Sequence, residues 1–476
     1  MKNICKILAV VMLLTLFIGC SQETPEEFDM DFSKTEGNSF DLEGIELLYR
    51  SNLDSGNGAI DLSENYLGYV MDTEFSDLAM QRVRELEDTY NFTLNVTTDK
   101  ADIVSMTAGG LNFADIFLSP SFNFFSWSKA GVLTGISKLS DYIDYKDSKK
   151  WGSPLLLESM FYKDDVFGLT PNAWPEQNFT SFGYPLVANV DLITENGASD
   201  PRELVDEGLW TWDRFTEELE KNTIREGNEV RCYGLCGGNS AYMIQMLMHS
   251  NGIHLVERND NGELICGYFD DRAIKAFEMS REISIGKYKH TYVPDLSSSE
   301  AIIESFINEE GTYAFLPTHF IFGVYGAVSM NLDNFAILPT PMGPDVDSYI
   351  YSSVHHTMYY AISFPTTGNS EAAAFVANKI YEPLPGYETH EDIKEYMSRN
   401  FFFDERDADV FFKLLENSHY NYDYTTGFDI RRIPENINNA TKTVAAILEE
   451  QSSVVEQCFT EYVEVALSAY DVLFGK

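Results

Sequence analysis

Between residues 45 and 118 short apolar runs alternate with an amphipathic stretch, and this alternation leaves few folds open to the chain. Ile45-Glu46-Leu47-Leu48-Tyr49 reads as a strand. Phe75, Leu78, Ala79, Val83, Leu86 and Tyr90 then share one face at helical spacing. Phe92-Thr93-Leu94-Asn95-Val96 is a second strand, and Asp115-Ile116-Phe117-Leu118 is a short buried one that stops at Ser119-Pro120. Parallel neighbours need a long crossover, which a helix supplies, so strand, helix, strand order predicts α/β units with largely parallel sheets. Helix starts recur further on. Asp200-Pro201-Arg202-Glu203 offers a capping aspartate, a proline at the first helical position and a glutamate at the third, and Thr211 caps a helix beginning at Trp212. Residues 438–473 carry a nearly uninterrupted helical pattern.

The first twenty residues stand outside any such fold. Lys2 and Lys6 precede an apolar run over residues 7–18 that is too short to remain as a membrane-spanning helix and fits the h-region of a signal peptide. Leu16-Phe17-Ile18-Gly19-Cys20 resembles a bacterial lipobox, which implies acylation of the Cys20 sulfur (diacylglyceryl and palmitate-type chains), cleavage before it, and an extracytoplasmic protein anchored to the cell membrane. Residues 1–19 are then signal peptide. Residues 20–41 are acidic and poor in aliphatics, hence a disordered tether. About 435 residues remain, more than one hydrophobic core usually serves, so two lobes are expected.

Charge narrows the partners. Removing residues 1–19 takes two lysines and no acid, so 33 basic residues become 31 against 75 acidic and the formal charge moves from −42 to −44. Phosphate backbones are bound by Lys and Arg clusters, and none exists here, so nucleic acid is excluded as a partner. The acidity serves colloidal stability or steers a cationic ligand.

A family resemblance emerges over residues 101–363. Ala114-Asp115-Ile116-Phe117, with Ala130-Gly131-Val132-Leu133 after it, resembles the "P/A-D-I/V-F" strand and "A-G-x-L" of bacterial extracellular solute-binding proteins of ABC importers, the maltose-binding-like type. Val166-Phe167-Gly168-Leu169-Thr170 resembles their "x-Y-G-L-P", residues 186–193 their "L-x-Y-N-K-D-L-F" and Gly208-Leu209-Trp210-Thr211-Trp212-Asp213-Arg214-Phe215 their "G-x-W-T-W-D-E-F". Phe306-Ile307-Asn308-Glu309-Glu310-Gly311, Pro339-Thr340-Pro341-Met342-Gly343-Pro344 and Tyr360-Ala361-Ile362-Ser363 continue the series in order. The resemblance implies a periplasmic-binding-protein type II fold: two α/β lobes, each a mostly parallel sheet flanked by helices, with the chain crossing the hinge more than once. Lobe one would take 42–175 and 333–366, and lobe two 176–325 and 370–476. It further implies a monomer that captures a sugar or oligosaccharide between the lobes and delivers it to ABC permease subunits, with no enzymatic activity and no cofactor.

A sugar ring has an apolar face and a hydroxyl edge, so its site needs aromatic platforms beside polar groups. Residues 118–127 carry Phe122, Phe124, Phe125 and Trp127, and Trp174 follows Thr170-Pro171 near the first crossing. The resemblance maps Tyr242 and Phe320 to family loops that supply stacking rings. Phe122, Trp174, Tyr242 and Phe320 are therefore the candidate platforms, with Asn239, His319 and His355 for the polar edge. The pair His355-His356 replaces the family's usual Gly-rich loop, which changes the expected ligand shape.

Other chemistry is weakly encoded. Cys232, Cys236, His249 and His254 have the spacing of a zinc finger, but Ser240 replaces the core aromatic and the interval is Gly-rich, so no metal site is assigned. Beside Cys20, four cysteines persist after cleavage (Cys232, Cys236, Cys266 and Cys458), and their pairing is open. A binding protein for a non-sugar solute, a secreted glycoside hydrolase with paired carboxylates and a surface adhesin are the competing classes. No G-x-S-x-G, H-E-x-x-H or P-loop pattern supports an enzyme.

Overall fold

Two mixed sheets organise the chain. The computed structural model describes residues 41–52, 67, 74–120, 123–151, 154–171, 185–236, 240–293, 306–307, 313–317, 328, 331–354, 360–400, 402, 404–419, 436–437 and 441–470. The principal strands are β1 (Ile45–Ser51), β2 (Phe92–Thr97), β3 (Ile116–Pro120), β4 (Leu186–Asn189), β5 (Glu229–Cys236), β6 (Tyr292–Val293), β7 (Tyr313–Pro317), β8 (Phe335–Leu338) and β9 (Tyr360–Ser363). The principal helices are α1 (Glu74–Tyr90), α2 (Phe124–Ala130), α3 (Pro201–Asp206), α4 (Trp212–Lys221), α5 (Ser240–Ser250), α6 (Asp271–Ser284), α7 (Ser370–Ile380), α8 (His390–Asn400), α9 (Glu405–Glu416) and α10 (Val444–Cys458). Among the described residues no helix is long and apolar enough to cross a membrane.

The first sheet has the order β9-β3-β1-β2, and the second β6-β5-β7-β4-β8 with the short strand Ile224–Glu226 hairpinned onto β5. β1, β2 and β3 are parallel, whereas β9 runs against β3. β5, β6 and β7 are parallel, whereas β4 runs against both β7 and β8. So each sheet has one reversed principal strand, and each time it is the strand that enters from the other sheet. The cause is geometric. Helical crossovers return the chain to the starting edge of a sheet, but a strand arriving from outside begins where the crossing lands, at the carboxyl edge of its neighbours.

The expected elements are in place. The expected caps form as well: the Asp200 carboxylate accepts from Arg202 N at 2.9 Å, and Thr211 Oγ1 accepts from Arg214 N at 3.3 Å. In the first sheet Leu47, Tyr49, Ile116, Leu118 and Ile362 are buried beneath α1, which inserts Phe75, Ala79 and Val83, and α7, which inserts Ala373 and Ala377. The second sheet centres on Trp210, fully buried between Phe215 and Phe315 at ring distances of 5.4 and 5.7 Å.

Segment placement departs from the sequence expectation in two places. Residues 333–366, grouped with lobe one, supply β8 to the second sheet and β9 to the first. Helix α7, grouped with lobe two, lies against α1 and β3. Both strands are four-residue apolar runs, and nothing local distinguishes their destinations. At the carboxy terminus α10 gives way to wider turns of π geometry over Phe459–Glu464 and then to Val465–Leu467.

Candidate ligand-binding cleft

Two of the chain's crossings between the sheets join their carboxyl edges. One leads from Pro171 to β4, the other from β8 to β9. In open α/β sheets ligands lie outside those carboxyl ends, so this edge is where a site is expected.

The start of the second crossing is laid firmly on the second lobe. Trp210 Nε1 donates to Pro339 O at 3.0 Å, Met342 N to Trp210 O at 2.9 Å, and Trp212 N to Met342 O at 3.1 Å. Gly343 N donates to Ser250 O at 3.0 Å, and a Cβ on Gly343 would sit 2.3 Å from Asn251 Oδ1. Asn251 needs that position, because its amide pairs with Asp345, accepting from the backbone N at 2.9 Å and donating to the carboxylate at 2.8 Å. The Pro-rich Pro339–Pro344 motif therefore encodes a strap whose glycine admits the asparagine. At the strap's far end the buried Ser352 Oγ and His249 Nδ1 share a 3.0 Å hydrogen bond that ties the crossing to α5.

In the first lobe the carboxyl end of β3 leads into α2. Residues 118–127, read as a loop of platforms, instead end in a helix, and three of their rings are structural. Phe124 is 1% exposed and fills the space over Gly168, where a Cβ would come within 2.4 Å of its ring. Trp127 packs against Phe117 and Phe124 at 5.4 and 5.7 Å, and Phe125 against Tyr162 and Tyr462 at 5.3 and 5.5 Å. Spacings of three and four from Phe124 put Trp127 and Ser128 on its face, a helical signal that the density of aromatics concealed. Asp115 accepts from Leu48 N and Asn369 N and so joins β1, β3 and the start of α7, its carboxyl pushed above the usual range by burial.

The sequence-predicted ligand residues cluster in chain position around these strand ends. Phe122 comes two residues after β3, Trp174 three after Pro171, Asn239 three after β5, His319 and Phe320 two and three after β7, and His355 five before β9. All six lie outside the described residues, as does Cys20. Of Tyr242 the backbone alone is described, in the first turn of α5.

Elsewhere one group of charged side chains is tied up in ion pairs. Arg202, 7% exposed at its side chain, pairs with Asp200, Asp404 and Asp407 at 3.1, 3.1 and 3.2 Å and donates to Asn334 Oδ1 at 2.7 Å. Asp407 also accepts from Ile337 N at 2.8 Å, which fastens α3 and α9 to β8, and burial pushes its carboxyl up to about 7. Beside this network lies a small open pocket, where Arg406 is bound to Asp206 and Asp404 and Lys413 sits 4.6 Å over the Tyr351 ring. Among the described residues no cluster of His, Cys, Asp and Glu could hold a metal. Of the zinc-finger-like set, Cys232 contacts Asn196, His249 bonds Ser352, and His254 bonds Glu257. Cys232, Cys266 and Cys458 form no disulfide among the described residues, and burial pushes Cys232 and Cys266 up to about 11 and 12.

No protein-family model matches the sequence, and no curated protein matches it. Solved structures do. A cyclo/maltodextrin-binding protein complexed with maltotetraose superposes at a TM-score of 0.59 with 12% identity, over 90% of this chain and 99% of that one. The fold is that of the two-lobe periplasmic binding proteins. An ABC substrate-binding protein from Listeria monocytogenes in complex with cycloalternan gives 0.56 and 15% over 87% and 99%. A Mycobacterium tuberculosis protein in complex with glycerophosphocholine gives 0.58 and 15% over 88% and 98%. The candidate residues follow in sequence after the sheet edges that these crossings join.

Proposed function

We propose that this chain is an extracellular solute-binding lipoprotein that captures a sugar or oligosaccharide between its lobes and hands it to an ABC importer without altering it. The observation that carries the reading is the shared edge: β3, β5 and β7 end, and β4 and β9 begin, next to the sequence segments richest in aromatics and polar side chains. Oligosaccharide complexes among proteins of the same fold support it. The glycerophosphocholine complex favours a second reading, a non-sugar solute, for which the strongly acidic chain suits a cationic headgroup. Lobe one is assigned 42–171 with β9 and α7, and lobe two the strands β4–β8 with their helices. Closure about the crossings would shift the balance of open and closed forms when ligand contacts both lobes.

Calorimetric titration with maltose, maltotetraose, cycloalternan and glycerophosphocholine, with product analysis alongside, tests the proposal. A saturating ligand at a hundredfold excess over its Kd should add about 2.7 kcal/mol of stability and be recovered unchanged. Consumption of the ligand would make the protein a hydrolase.

In this reading Trp174, Tyr242 and Phe320 stack on the ligand, Phe122 extends the platform, and Asn239, His319 and His355 bind its edge. Replacing any one of the three principal rings by Ala should remove about 0.5–1.5 kcal/mol of ring interaction plus the buried area, lowering affinity at least tenfold at nearly constant melting temperature. Unchanged affinity with a much lower melting temperature would make these rings core residues.

Anchoring is a separate test. Cys20→Ala should move the protein from the membrane to the soluble fraction, since two acyl chains at about 0.8 kcal/mol per methylene hold a protein that one chain does not. Equal membrane association of variant and wild type would refute the lipid anchor.

A further inference from the structure

The carboxy-terminal helix is a further mechanical link between the lobes. Its first part belongs to the second lobe, where Val444, Ile447, Leu448 and Val455 are members of the core around Trp210. Its last part belongs to the first. Lys163 N donates to Ala466 O at 2.9 Å, Tyr470 packs edge-on against Phe161 at 5.3 Å, and Tyr462 lies 5.5 Å from Phe125 with Lys129 above it at 5.6 Å. The hairpin carrying Phe161 and Lys163 leads directly to Leu169, which exchanges hydrogen bonds with Ile362 of β9. From Val444 to Tyr470 a continuous α-helix would be a strut of about 40 Å at 1.5 Å per residue, pinned to both lobes.

Such a strut resists any change in the angle between its anchors unless it yields somewhere. The turns over Phe459–Glu464 have π geometry, with one residue more than an α-helix uses; they follow the second-lobe anchors, precede Ala466 and Tyr470, and make their own first contact with the first lobe through Tyr462. A π turn is wider, and its extra residue can pass along the helix by exchanging i→i+5 for i→i+4 bonds one at a time. Each such step changes the relative rotation and height of the two ends while the ends keep their own hydrogen bonds.

We propose that the π segment Phe459–Glu464 is a compliant joint that lets the two lobes change their relative angle while the carboxy-terminal helix stays docked on both. The inference rests on the two-lobe closing motion of the proposed function but not on the identity of the ligand. The joint works by storing the spare residue rather than by melting. Phe459 and Val463 remain buried and hold the segment in place, while Thr460, Glu461 and Glu464 face solvent, so the bonds can rearrange without exposing the core.

The test is made without ligand, on the full mature chain. Deleting Glu461 removes the spare residue and restores a continuous α-helix with both anchored ends in register, whereas Glu461→Ala keeps the length. Interlobe distances are read by pulsed electron resonance between non-natural spin-labelled residues at the exposed positions 85 and 260. The expected result is a distribution at least twofold narrower in the deletion than in the wild type, with Glu461→Ala unchanged. Hydrogen exchange on the unmodified protein gives a second readout that needs no variant: amides of residues 459–464 should exchange at least tenfold faster than those of 447–456. Equal protection of the two stretches, or a deletion variant that folds with the wild-type distribution, would overturn the joint. A chain that binds no member of the ligand panel yet shows the broad distribution and its narrowing would refute the sugar reading and leave the joint standing.

Discussion

Trp210→Ala should cost about 3–5 kcal/mol of folding stability, among the largest losses available to a single substitution here. The indole is fully buried, and its removal leaves a cavity walled by Phe215 and Phe315. It also orphans Pro339 O, the first anchor of the second crossing, because Ala has no group to replace Nε1. An unsatisfied buried carbonyl adds about 1–3 kcal/mol to the apolar loss, so Trp210→Phe, which keeps most of the volume but not the donor, should fall between variant and wild type. Urea unfolding followed by circular dichroism measures both. A loss under 1 kcal/mol for the alanine variant would mean that the strap does not depend on this ring.

Arg202→Ala should cost a similar amount, about 3–5 kcal/mol at neutral pH, for an electrostatic reason. The arginine is the cation facing Asp407, which is 1% exposed, and without it the buried acid must take up a proton or stay unpaired against β8, while Asp200 and Asp404 lose the same partner. The cost should depend on pH. Asp407 is pushed up to about 7 in the folded protein, mainly by burial, against about 3.9 in an unfolded chain. Its folded form thus holds a proton that the unfolded form has lost between those values. The stabilisation from that proton is complete below pH 4 and disappears as pH rises through 7, at no more than about 1.4 kcal/mol per pH unit. Wild type should therefore lose stability relative to Asp407→Asn between pH 4 and 7, and the penalty of Arg202→Ala should be larger above pH 7 than at pH 4, because without the guanidinium's lowering effect the variant holds its proton to higher pH than wild type does. Thermal melts of the three proteins across that range decide it. A penalty for Arg202→Ala that is the same at pH 4 and pH 8 would contradict the account.

The parts of the fold legible in the sequence are those whose signals are local. β1 to β3 are apolar runs interrupted by turn residues, and the caps at Asp200 and Thr211 act within three residues of themselves. Destination is not local. Phe335-Ala336-Ile337-Leu338 and Tyr360-Ala361-Ile362-Ser363 look alike, yet one pairs with Leu186–Asn189 and the other with Ile116–Pro120. The π turn was hidden for a related reason, since one extra residue barely disturbs an apolar periodicity of 3.6. For the site, residue chemistry was readable and position was not. Phe124, Phe125 and Trp127 have the composition of a sugar platform, but packing against Gly168, Tyr162 and Phe117 assigns them to the framework.

The reversed strand β9 also sets an order of assembly. Ser363 Oγ reaches Phe117 O across 246 positions of sequence, so a chain emerging amino end first makes β3 long before it makes the strand that covers it. Until then β3, buried along its whole length in the finished protein, presents a bare apolar edge. Any pause in synthesis or export before residue 360 leaves that edge open to pairing with another chain. The window of greatest exposure to aggregation therefore falls late in the polypeptide, when the first lobe is spelled out but not yet closed.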